Sequence, residues 1–112
     1  MNKSIKELQK IIHDIAIDKN WYSSKNPITF GEIIASMHSE LSSALEEYQK
    51  YKFVDEIYYE NSKPKGVSVE LADCVIRILN FFEANNIDLE EIIDIKMKYN
   101  ITRSRKKGYA KI

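Results

Sequence analysis

Three carboxylates stand out as residues able to do chemistry. Glu70 and Asp73 lie three apart in Val69-Glu70-Leu71-Ala72-Asp73, and Glu40 lies in His38-Ser39-Glu40-Leu41, in stretches rich in apolar residues. On an α-helix, residues three apart share a face, so Glu70 and Asp73 can direct their oxygens at one point. Hard oxygen donors in that arrangement suit Mg²⁺. Acids so placed also satisfy polar cores. The four-residue spacing of Asp73 and Arg77 equally allows a plain ion pair on a helix surface, worth about 0.3 to 0.5 kcal/mol.

The elements that must position these residues are helices. Ser4 and Glu7 have the spacing of a capping box ahead of Ile5, Leu8, Ile11, Ile12, Ile15 and Ala16, which predicts a first helix reaching about Lys19. Thr29 and Glu32 repeat the signal before Ile33, Ile34, Met37, Leu41, Ala44, Leu45 and Tyr48, a longer second helix. Residues 52–66 mix aromatics with charge and close on Ser62-Lys63-Pro64-Lys65-Gly66; they read as a loop, with a short turn at Tyr58-Tyr59. A third helix starts near Ser68 and ends at Asn85-Asn86, because asparagine tolerates the left-handed backbone of a helix terminus. Asp88 with Glu91 starts a fourth. No alternating pattern calls for a sheet. The expected fold is all-α, a four-helix bundle with antiparallel helices and a longer connection between helices two and three, in one domain spanning residues 1–112.

On a wheel of the third helix, Leu71, Ala72, Val75, Ile76, Ile78, Leu79 and Phe82 fill a broad apolar arc. The remaining strip carries Glu70, Asp73, Arg77 and Asn80. On the second helix Glu40 and Glu47 flank the apolar arc beside Ser36 and Ser43, so antiparallel packing would set two acidic edges face to face.

Composition narrows the function classes. Lys plus Arg number 17 and Asp plus Glu 17, a net charge of zero, which gives no general electrostatic grip on nucleic acid or membrane. A basic tail over about residues 103–112, with Arg103, Arg105, Lys106, Lys107 and Lys111, is the one local exception. The single cysteine, Cys74, excludes an intramolecular disulfide and reads as a small buried hydrophobe. No apolar run approaches the roughly 20 residues of a membrane span, so a cytoplasmic protein is expected. His13 and His38 have Lys10 and Ala35 three residues before them, which removes the Glu-x-x-His spacing of a di-iron bundle.

The segments Met37-His38-Ser39-Glu40-Leu41-Ser42-Ser43-Ala44-Leu45-Glu46-Glu47-Tyr48 and Val69-Glu70-Leu71-Ala72-Asp73-Cys74-Val75-Ile76-Arg77 resemble the MazG-like nucleotide pyrophosphohydrolases, whose hallmark is Glu-x-x-Glu followed by Glu-x-x-Asp. Lys96-Met97-Lys98-Tyr99-Asn100-Ile101-Thr102-Arg103, with Gly108 beyond, resembles that family's closing Lys-x-x-x-Asn-x-x-Arg, and His13 followed by Trp21 its opening helix and aromatic turn. The resemblance implies an all-α homodimer or homotetramer that hydrolyses nucleoside triphosphates to monophosphate and pyrophosphate. It implies Mg²⁺, or Mn²⁺, held by Glu40, Glu70 and Asp73 as the catalytic centre; Glu47, one turn beyond Ser43 on the same side, is placed to reach the ion only through a water. Lys96, Asn100 and Arg103 would contact phosphate or sugar. Read from residue type alone, Trp21 and Tyr22 are either aromatics packed between helices or a surface on which a base stacks.

The chain departs from the pattern three residues after Glu40, where Ser43 replaces the second glutamate of Glu-x-x-Glu. A hydroxyl is a neutral, weaker ligand and no carboxylate base. Two functions follow: a Mg²⁺-dependent pyrophosphohydrolase, or a non-catalytic relative that binds a nucleotide or protein. Ser104, where the family commonly has proline, is a milder departure.

Overall fold

The computed structural model describes residues 2–21 and 27–103. The order of elements is α1 (Ile5–Asp18), α2 (Phe30–Tyr51), β1 (Tyr58–Glu60), β2 (Lys63–Lys65), α3 (Val67–Ala84) and α4 (Leu89–Thr102). Both expected capping boxes form. Ser4 Oγ accepts from Glu7 N at 3.1 Å while Ser4 N donates to Glu7 Oε1 at 3.1 Å, and Thr29 and Glu32 repeat the exchange at 3.1 Å each way. The end of α3 is as the asparagines suggest. Asn86 adopts φ 55°, and the N–H groups of Asn86 and Ile87 close onto the carbonyls of Glu83 and Phe82, which stops the helix.

Two expectations need correction. Residues 52–66 are not simply a loop: β1 and β2 pair antiparallel, Tyr58 opposite Lys65 and Glu60 opposite Lys63. Asn61 and Ser62 form the two-residue turn, both with positive φ (52° and 66°), the backbone that matches strand twist. A serine there hides the usual Asn-Gly signal, and Pro64 reads as a helix or strand breaker although an edge strand accepts it. The fold is therefore mostly helical with a small hairpin. The second correction concerns Glu91, which plays no capping part. Asp88 accepts from Glu90 N at 3.0 Å, and Glu90 reaches across to the start of α1, accepting from Ile5 N at 2.8 Å.

Helix α3 is the centre of the packing. Phe30 meets Phe81 with ring centroids 5.5 Å apart, and Ser68 Oγ donates to Val54 O just beyond the end of α2, so α2 and α3 run antiparallel. Helix α1 lies on another side of α3, with His13 Nδ1 donating to Asn80 Oδ1 at 2.8 Å. Asn80 is 3 % exposed, so this bond satisfies a buried amide. Helix α4 packs on α1 through Gln9, which is 2 % exposed: its amide donates to Ile87 O and Glu83 and accepts from Leu89 N. Gln9→Leu strands those groups in a packed seam and is expected to cost about 3 kcal/mol of stability in urea denaturation. A loss under about 0.5 kcal/mol would mean that water reaches the seam.

The apolar core is small. Ala16, Ala44, Val67, Cys74 and Leu79 are buried, as read for Cys74, while Leu41, Leu45, Leu71 and Val75 are about half exposed. Measured from the line where α2 and α3 touch, these four rotate in the same sense on two antiparallel helices, so they share one side of the pair. The acidic strip rotates the other way and lies on the opposite side. No helix among the described residues is long and apolar enough to cross a membrane.

Candidate metal centre

The groove on that opposite side gathers the acids expected from spacing. One oxygen each from Glu40 of α2 and Glu70 and Asp73 of α3 lies within 4.8 Å of the others. The antiparallel crossing supplies Glu40, and the three-residue spacing on α3 supplies the other pair. All three are half-buried. They form part of the wall of a cleft of about 520 Å³ that also includes Ser43.

Their electrostatics are those of crowded acids. Burial pushes the Glu70 carboxyl above its ordinary value, and hydrogen bonding to Glu40 and repulsion from Glu40 and Asp73 add to it. Burial, followed by Glu40, raises Asp73 as well. Lys63 opposes the rise at both residues, and Arg77 opposes it at Asp73. Arg77 does not fall back on Asp73 as the plain helix-surface ion pair would have it. Its guanidinium crosses to α2 and donates to Glu40 Oε1 at 3.4 Å. The other oxygen, Glu40 Oε2, is buried with no hydrogen-bond partner.

A divalent cation fits this donor set. The three ligands are hard oxygens, the repulsion among them is relieved by positive charge, and a buried carboxylate oxygen stands without a donor. Glu47 lies on the same cleft wall but is otherwise engaged, since Tyr58 Oη lies 2.8 and 2.9 Å from its two oxygens and donates to that carboxylate. That bond, ahead of burial, holds the Tyr58 hydroxyl well above its usual range.

Trp21 follows α1, its N–H bonded to Ala16 O at 3.0 Å, and borders a hollow with Asp73, Ile76 and Arg77 that adjoins the acids. The α4 residues are elsewhere. Lys96 and Arg103 sit 4.8 and 5.9 Å from the Tyr99 ring centroid, and none of Lys96, Asn100 and Arg103 lines the acidic cleft. Residues 104–112, which carry most of the basic tail, lie outside the described residues.

The hairpin is what sequence reading overlooked. Tyr58, Glu60, Lys63 and Lys65 all line the cleft, because residues two apart on a strand share a face and the register sets Tyr58 beside Lys65 and Glu60 beside Lys63. The signal was present in the alternation of these four residues around Asn61-Ser62. No family model, curated protein or solved structure matches the chain.

Proposed function

We propose that the chain is a Mg²⁺-dependent nucleoside triphosphate pyrophosphohydrolase, cleaving between the α- and β-phosphates to leave a monophosphate and pyrophosphate. The observation that carries this reading is the convergence of Glu40, Glu70 and Asp73 from two helices, with Glu40 Oε2 unpartnered, on the wall of a cleft large enough for a polyphosphate. The order of motifs along the sequence supports it. Glu40, Glu70 and Asp73 would hold the ion, which when bound supplies a Lewis acid for the phosphoryl oxygens and lowers the pKa of an attacking water.

The remaining steps belong to the chain's own groups. Glu70 and Asp73, whose carboxyls burial and Glu40 raise above their ordinary values, give the cleft a crowded negative charge that a divalent ion relieves. Arg77 holds the Glu40 carboxylate through one oxygen and leaves the other without a donor. Tyr58 holds Glu47 in one orientation at the edge of the cleft. The hollow beside Trp21 is the place for the base, stacked on an indole that is 54 % exposed. A second copy of the chain covers the apolar side of α2 and α3, opposite the cleft.

A second reading, a nucleotide or protein binder without turnover, is favoured by Ser43 in the cleft wall, where the resembled family has a glutamate. Ser43→Glu separates the two. In a hydrolase running short of one ligand, the substitution raises kcat by about tenfold, within the range that a single supporting metal contact commands. Absence of turnover in both forms, with nucleotide binding intact, supports the binder.

A further inference from the structure

We infer that Lys63, which the β-hairpin brings to the wall of the acidic cleft, is a phosphate-binding residue whose ammonium supplies positive charge to the polyphosphate beside the proposed divalent ion. This rests on the triphosphate reading above and extends it to a residue on neither acidic helix.

The placement follows from the hairpin's register. Glu60 and Lys63 are cross-strand partners, Tyr58 and Lys65 are the next pair, and all four line the cleft. Of the lysines around the cleft, two are otherwise engaged. Lys65 Nζ is 4.0 Å from Glu60 Oε1, and Lys50 Nζ lies 5.7 Å from the Tyr51 ring centroid. Lys63 has no ion-pair partner among the described residues although Glu60 is directly opposite it. It lines the same cleft as Glu40, Glu70 and Asp73.

Charge balance explains what such a lysine is for. A polyphosphate and three carboxylates repel each other, and divalent ions must bridge them. With Ser43 neutral, the cleft has one ligand fewer for a further ion and one negative charge fewer to hold it. A lysine ammonium supplies positive charge without needing ligands, as a compact point charge on a long stem. Because that charge shares the cleft with Glu70 and Asp73, it competes with the metal while attracting the phosphates.

The two effects have opposite signs, and Lys63→Gln separates them. The probes are Mn²⁺ alone, followed by electron paramagnetic resonance, and inorganic tripolyphosphate in the presence of Mg²⁺, followed by calorimetry. The expected result is an affinity for tripolyphosphate about tenfold weaker and an affinity for Mn²⁺ about two- to threefold tighter. Lys65→Gln, the neighbouring lysine already paired with Glu60, is expected to shift both much less. Unchanged affinities in Lys63→Gln would make Lys63 a solvated lysine, and weakening of both would mean that the substitution deforms the hairpin; either overturns the inference. Nucleotide turnover with normal tripolyphosphate binding by Lys63→Gln overturns it while leaving the pyrophosphohydrolase standing. Failure of the unaltered chain to bind tripolyphosphate with Mg²⁺ overturns both.

Discussion

Glu70→Gln is expected to lower nucleotide turnover about a thousandfold, because losing a metal ligand forfeits several kcal/mol of charge stabilisation in the transition state. The same change is expected to raise the melting temperature of the metal-free protein by about 2 to 4 °C, the shift produced by roughly half a kcal/mol in a chain of this size. The opposed directions come from one cause. Glu70 is raised by burial and by Glu40, so its charged form is strained in the folded state. A carboxyl whose pKa rises on folding stabilises the fold below its unfolded value of 4.5, and that contribution is lost as pH climbs through the raised folded value. The thermal advantage of glutamine is therefore largest near neutrality and shrinks as pH falls towards 4.5. Glu7 and Glu32, lowered by their capping bonds, act in the opposite sense, but they are common to both proteins and cancel in the difference. Mg²⁺ should raise the melting temperature of the unaltered protein near neutrality, lose that effect with acid, and do little to Glu70→Gln. A glutamine variant that is less stable without metal, or equally stabilised by Mg²⁺, would remove Glu70 from the centre.

Val75→Glu is expected to weaken self-association at least about a hundredfold, since a lone carboxylate in an apolar interface costs around 3 kcal/mol or more. Val75 is 51 % exposed on α3 and shares its side of the helix pair with Leu71 and, from α2, Leu41 and Leu45. Covering an apolar side chain is worth about 1.5 to 3 kcal/mol relative to leaving it in water, and the packed core of one copy is meagre. Sedimentation equilibrium measures the outcome: the unaltered chain should be at least dimeric at micromolar concentration, and the variant monomeric and less stable. A monomeric unaltered chain, or a variant that associates equally well, would leave the face to another partner. Because the acidic cleft lies on the opposite side, Mn²⁺ binding should survive the substitution.

Much of this architecture is legible in the residues. Both capping boxes, the asparagine helix end and the antiparallel meeting of Glu40 with Glu70 and Asp73 follow from local spacing, because each depends on neighbours within one turn or on a single packing direction. The hairpin was not legible. Its turn uses Asn61 and Ser62 without glycine, and its second strand contains Pro64, so both usual signs are missing. The partner of Arg77 escaped as well, since local spacing offers Asp73 and only the packed helices bring Glu40 within reach. Gln9 looked like one more polar residue on an amphipathic helix. Its role depends on the carbonyl of Ile87 and the N–H of Leu89, about eighty residues away in sequence. Lys96 and Asn100 lie four apart on α4, but Arg103 is the C-cap in extended backbone just past its end, and none of the three lines the cleft within one copy.

Hydrolysis of nucleoside triphosphates with Mg²⁺ in the carboxylate cleft is the proposal on which the other expectations rest. The most direct measurement is incubation of the purified protein with each ribo- and deoxyribonucleoside triphosphate and Mg²⁺, with monophosphate and pyrophosphate quantified as separate products. Stoichiometric release of the two that disappears with chelator and in Asp73→Asn is the expected result. No release from any nucleotide with Mg²⁺ or Mn²⁺, or release of single phosphate instead of pyrophosphate, would contradict it.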